Sequence, residues 1–112
     1  MSQSFNDFLG LRPAEDGEGV VLDTRPEHQI APDTIHFAVL TTLAEVAAAG
    51  AVGASVVPSS VNVQLLRRAT PGALRGVGTL LRRGRRLAVA EGEVFQQGQL
   101  VAKATVQFAV LS

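Results

Sequence analysis

The chain contains no cysteine, tryptophan or tyrosine and only two histidines. Without cysteine there are no disulfides, no thiol nucleophile and no cysteine metal cluster. His28 and His36 alone do not make a zinc site, so no metal is expected. Aromatic mass is scarce too: five phenylalanines are all the chain has to seal a core otherwise rich in alanine and valine. A chain of 112 residues fits one domain, residues 1–112, whose modest core calls for a second copy to complete it. Homodimerisation is therefore expected, with pairing of dimers into a tetramer left open.

Net charge is zero, with ten basic and ten acidic side chains, which argues against nucleic acid or a membrane surface as the main partner. No basic and then apolar leader opens the sequence, so no signal peptide is expected. The most apolar region, residues 35–58, is broken by His36, Thr41, Thr42, Glu45, Gly50, Gly53 and Ser55. It lacks the roughly 20 uninterrupted apolar residues of a membrane span. A cytoplasmic location follows as the default expectation.

Charge is absent in a second, more telling place. From Thr34 to Leu66 the only charged side chain is Glu45. Removing a carboxylate from water costs free energy or raises its pKa, so an acid in such a run is at a surface or has work to do.

Ser4 is placed to cap a short helix whose Phe5, Phe8 and Leu9 share one face, and Gly10 stops it. Val20 to Thr24 reads as a strand. The segment from His28 to Thr34 reads as a loop leading to a long helix, with Asp33 or Thr34 as N-cap and Gly50 and Gly53 as the stop. Its Ala-rich surface suggests protein on all sides. Four strands follow as an antiparallel meander. The first alternates Val61, Val63 and Leu65 with Asn62 and Gln64; the second spans residues 73–81 and the third 87–95. Between those two, Arg82 to Arg86 form a hairpin tip in which Gly84 supplies positive φ. Gln97 and Gly98 turn the chain into the last strand, whose Ala102, Ala104, Val106 and Phe108 alternate with Lys103, Thr105 and Gln107. One helix against a sheet too large for it gives an α+β fold with the helix cradled in the sheet's curve.

Several segments carry a resemblance in order and spacing: Phe8-Leu9-Gly10, Thr34-Ile35-His36, Leu43-Ala44-Glu45, Val61-Asn62-Val63, Leu66-Arg67-Arg68-Ala69, Gly84-Arg85-Arg86-Leu87-Ala88-Val89 and Gly98-Gln99-Leu100-Val101-Ala102. Together they resemble the hotdog-fold acyl-CoA thioesterases of the phenylacetate-degradation and 4-hydroxybenzoyl-CoA type. The resemblance implies an antiparallel curved sheet wrapped around one central helix. It also implies hydrolysis of an acyl-CoA thioester with no cofactor beyond the coenzyme A of the substrate. Glu45, nine residues after His36, takes the position of the family's base or nucleophile. The backbone N–H of Phe37 takes that of the oxyanion donor, where the family has glycine, and Ala38 replaces a second glycine. The family's carbonyl-orienting amide falls on Ile30, with Gln29 beside it, and its Ser or Thr helper falls near Pro58, beside Ser59 and Ser60.

His36 is a candidate site residue whose plainer reading is structural, a hydrogen-bonding group at the helix start. Ser59, Ser60 and Asn62 are candidate substrate contacts. Arg67 and Arg68 are the preferred phosphate ligands, because guanidinium pairs bidentately with phosphate oxygens. Arg82 to Arg86 read as a solvated tip. Nine helical residues place His36 and Glu45 about 13 Å apart along the axis and half a turn apart in azimuth, so one thioester carbon cannot touch both within one chain. A shared reaction requires two subunits. The alternative reading is a non-catalytic hotdog protein that binds an acyl-CoA or another acyl ligand.

Overall fold

A computed structural model describes residues 4–111. Residues 1–3, which open the stretch read above as lacking a signal peptide, lie outside the described part. Ten main elements follow in order: α1 (Phe5–Leu9), β1 (Arg12–Pro13), β2 (Val20–Asp23), β3 (Gln29–Ala31), β4 (Thr34–Ile35), α2 (Phe37–Val52), β5 (Val56–Leu65), β6 (Ala73–Arg83), β7 (Leu87–Gln96) and β8 (Gln99–Val110). A 3-10 turn, Pro26–His28, sits between β2 and β3. The result is the expected α+β arrangement, one antiparallel sheet curved around a central helix.

The meander is only partly present. The six-stranded sheet has the order β1-β2-β6-β7-β8-β5, so β5 pairs with the last strand and not with the one that follows it. Residues 66–72 carry the chain from that outer edge back to the middle of the sheet, anchored where the Ile35 N–H donates to the Ala69 carbonyl at 2.9 Å. Alternation correctly gives the faces of β7 and β8: Ala88, Ala90 and Val94 lie opposite Phe108, Val106 and Ala102, all turned toward α2.

The helix α2 lies on that inner face, burying Val39, Leu40, Leu43, Ala44, Ala47, Ala48 and Val52. Its other faces are only partly covered within the chain, contrary to the all-round wrapping expected. Close approach depends on missing side chains. A Cβ at Gly92 would meet the Ala44 carbonyl, and one at Gly78 would meet the Ala47 carbonyl. Glycine at these strand positions therefore sets the helix-to-sheet distance.

Both ends of α2 differ in detail from expectation. Asp33 adopts φ 58° and turns the chain between β3 and β4, so the expected loop is a two-stranded ribbon and neither Asp33 nor Thr34 can cap. His36 is the N-cap instead, its Nδ1 accepting from the Ala38 N–H at 2.9 Å as an Asp oxygen would. Gly53, at φ 73°, ends the helix, while Gly50 is helical. The β6–β7 hairpin is closed by the Gly84 N–H on the Leu87 carbonyl at 2.8 Å; Gly84 does not take the positive φ expected of it. In α1 the Ser4 cap and left-handed Gly10 are present, but only Leu9 of its apolar face is buried. Among the described residues no helix is long and apolar enough to cross a membrane.

Candidate active site

His28 organises the start of α2. It is buried, its Nδ1 accepts from the Arg25 N–H at 3.0 Å, and its carbonyl accepts from the His36 N–H at 2.8 Å. Burial, reinforced by the Arg25 charge, lowers its imidazole pKa and keeps it neutral. His36, held this way, spends its own Nδ1 on the Ala38 N–H. That is the structural role read for it, and it leaves the next donor open: among the described residues the Phe37 N–H has no hydrogen-bond partner. A free N–H at the first helical residue, aligned with the helix dipole, is suited to developing negative charge.

The Phe37 side chain is 53% exposed and packs against the His36 ring at 4.5 Å between centroids. Beside it opens a cleft of about 340 Å³ lined by Ile35, Leu40, Leu65, Leu66, Arg67 and Arg68 among others. The fold thus brings Arg67 and Arg68 to the same cleft as Phe37. Leu40, Leu65 and Leu66 were not singled out from the sequence; the apolar pair immediately before two arginines was the available signal.

Glu45 lies two turns further along. The flank of α2 carrying Val46 and Gly50 faces β2 and β6 across another cleft. Glu45 is on the opposite flank, by the 100° step of the helix, and looks toward the β8–β5 side. It is half-buried, and burial raises its carboxyl pKa above the ordinary value. Among the described residues it forms no ion pair and no side-chain hydrogen bond. A desolvated carboxylate without a cationic partner is a stronger base than a solvated one.

The other candidates are placed less closely. Gln29 accepts from the Asp33 N–H at 3.0 Å and is committed to the β3–β4 turn. Ser59 sits at a bulge in β5 and donates to the Gln107 carbonyl at 3.2 Å. Ser60 and Asn62 pair with Gln107 and Thr105 on the outer face of the sheet, away from α2. Asn62 accepts from the Gln64 amide at 3.0 Å. A larger cleft, about 740 Å³, lies on that outer face between Arg12, Asp16, Asp23, Arg75 and Phe95. Its charges pair off, Arg12 with Asp23 at 3.0 Å and Arg75 with Asp16 at 2.9 Å. The Glu18 N–H and the Arg75 guanidinium hold the Asp16 carboxyl below its usual range.

One edge of the sheet is open. The ten residues of β5 pair with β8 on one side only, and its Val61 and Leu65, turned inward like their β8 partners, are 42% and 51% exposed. A long free edge with apolar side chains is a template for another strand.

No curated protein sequence matches the chain. Its solved relatives include a thioesterase-superfamily protein, 31% identical, covering 97% of this chain and 90% of the other with a TM-score of 0.86. A Bacillus halodurans protein crystallised with CoA is 28% identical over 94% of this chain and 75% of its own, TM-score 0.81. A phenylacetic acid degradation-related protein from Ralstonia eutropha is 28% identical over 98% and 92%, TM-score 0.79. The sequence profile of the acyl-CoA thioesterase N-terminal domain matches residues 24–109. The chain belongs to that acyl-CoA thioesterase family, within the hotdog thioesterase superfamily.

Proposed function

We propose that the protein hydrolyses an acyl-CoA thioester at a site formed between two copies of the chain. The observation that carries this reading is the pairing of two unsatisfied groups on one helix: the free N–H of Phe37 and the partnerless, half-buried carboxylate of Glu45. Eight residues separate them, about 12 Å along the axis, too far to act on one carbonyl within a single chain. Antiparallel pairing of β5 with β5 of a second copy runs the two α2 helices in opposite directions. Glu45 of one copy then faces the helix start of the other. The carboxylate takes a proton from water, whose oxygen adds to the thioester carbon, and the oxyanion accepts from the Phe37 N–H. The C–S bond then breaks with its electron pair on sulfur, releasing the acid and CoA thiol. Arg67 and Arg68 lie beside the same helix start and suit the phosphates of CoA.

The non-catalytic acyl-CoA-binding reading is favoured by one observation, the engagement of Gln29 in its turn, which leaves no amide beside the helix start to orient a carbonyl. Thiol release from a panel of acyl-CoA esters separates the two. Glu45→Ala is expected to lower kcat by about 10²- to 10⁴-fold, the usual worth of a positioned base. Equal rates for wild type and variant on every ester, with CoA binding intact, reject hydrolysis through Glu45.

A further inference from the structure

The net charge of zero conceals a segregated surface. Between Glu45 and Glu91 there is no acidic residue, and none follows Glu93. The segments that meet at one end of the sheet all come from these acid-free stretches: the C-terminus of α2, the start of β5, the β6–β7 hairpin and the end of β8. The Val110 N–H donates to the Arg86 carbonyl at 2.8 Å and the Leu111 N–H to the Ser55 carbonyl at 2.9 Å, which ties them together. The hairpin places Arg82, Arg83, Arg85 and Arg86 there, and none of the four has an ion-pair partner among the described residues. Exposed aliphatic side chains lie among them. Val57 and Leu87 flank Ala109 across three adjacent strands, and Leu81 and Leu111 are solvent-facing as well.

We propose that this end of the sheet docks an acidic carrier protein that presents its acyl group as a phosphopantetheine thioester, making carrier-bound esters substrates alongside CoA esters. The proposal rests on the thioesterase reading above. Arginine mixed with aliphatic residues is the composition of a protein interface core and rim. Phosphates alone would need the guanidinium groups but not the leucines. The location also suits delivery. Arg83 Nη1 donates to the Val52 carbonyl at 3.1 Å, at the C-terminal end of the helix that carries Glu45 seven residues earlier, about 10 Å along the axis. A carrier seated on the arginines is thus within reach of Glu45 for an extended pantetheine arm. Antiparallel β5 pairing points the two arginine ends of a dimer in opposite directions. A flat bilayer then engages only one, whereas separate carriers engage both. The chemistry is unchanged: water adds to the acyl carbon, the C–S bond breaks with its pair on sulfur, and the carrier keeps its pantetheine as the protonated thiol.

The test compares one acyl group, octanoyl, on CoA and on a purified acidic acyl carrier protein, with wild type and with Arg85→Glu/Arg86→Glu. The expected result is a rise of about tenfold or more in KM for the carrier ester, kcat retained, and no change with octanoyl-CoA. Binding of the carrier without its acyl group, followed by titration, should weaken in parallel and weaken further with salt. Arg85→Ala/Arg86→Ala should show the same selectivity at smaller size, covering the case in which charge reversal disturbs the hairpin. Equal losses on both esters would overturn the proposal in favour of a nucleotide phosphate site. Unchanged kinetics on both would reduce the arginines to a solvated tip. Binding by wild type to phosphatidylglycerol vesicles but not to the carrier would assign the surface to a bilayer and overturn it too. If neither ester is hydrolysed, the thioesterase reading fails; the binding titration still decides the docking surface, supported by carrier binding lost in the variant and rejected by its absence.

Discussion

Replacing Phe37 by proline removes one atom's worth of chemistry from the proposed site, the backbone N–H. Position 37 is the first helical residue after the His36 cap, where proline's fixed φ is compatible with the helix and its missing N–H costs no internal bond. His36 already has the extended ψ, 137°, that a residue before proline requires. The Phe37 N–H has no partner within the chain, so no hydrogen bond of the fold is lost. The ring itself is removed as well, which calls for Phe37→Ala as the reference, since it loses the same aromatic contact but keeps the donor. Relative to that reference, the proline variant should melt at the same temperature or slightly higher, by the entropy it removes from the unfolded chain, worth about 0.4–1 kcal/mol. Loss of an oxyanion donor costs about 10²- to 10³-fold in kcat, or roughly 3–4 kcal/mol of transition-state stabilisation. Steady-state thiol release from acyl-CoA, with a thermal melt on the same samples, reads both numbers. A proline variant as active as the alanine variant would refute the assignment of that N–H to the oxyanion. A large loss of stability would refute the statement that it is free.

Three further outcomes follow from the same geometry. Burial raises the Glu45 pKa, so the folded chain holds that proton more tightly than the unfolded chain; the resulting stabilisation is present below about pH 4.5 and lost as pH rises through the folded value. Glu45→Gln should therefore melt higher than wild type at pH 7 and equally at pH 4, and the acid limb of the wild-type kcat/KM profile should fall above 4.5; a higher melt for wild type at pH 7 would contradict this. Val61→Lys, at the open edge of β5, should give a folded, inactive monomer by sedimentation, and an active monomer would exclude a shared site. Gly92→Ala should destabilise by about 1–3 kcal/mol or more, as overpacking between strand and helix does. A denaturant midpoint unchanged from wild type would show that α2 can move away from β7 without cost.

What could be read in advance divides along physical lines. The faces of β7 and β8 were legible because one side of each strand packs on a helix and the other meets water, so Ala102, Ala104, Val106 and Phe108 alternate with Lys103, Thr105 and Gln107. The position of β5 was not. Its period fits any strand, and nothing local says that its neighbour is the last strand and not the next. The cap of α2 was missed because Asp33 and Thr34 are commoner caps than histidine, and only the β3–β4 turn, a tertiary fact, withdraws them. Glu45 was legible as a chemical oddity because the run around it lacks charge. Its flank, facing the β5 side, needed the fold. So did the meeting of Leu65, Leu66 and the two arginines with Phe37, residues separated by almost thirty positions in the chain.

The central claim is that each reaction uses the Phe37 N–H of one copy and the Glu45 carboxylate of the other, and complementation tests it most directly. Glu45→Ala and Phe37→Pro are each prepared inactive, unfolded together in equal amounts, and refolded. Random pairing makes half the dimers mixed, and each mixed dimer has one site carrying both changes and one carrying neither. Thiol release should return to about a quarter of the wild-type rate. Activity no greater than that of the two parents, with mixed dimers demonstrated in the sample, would contradict a site shared between subunits.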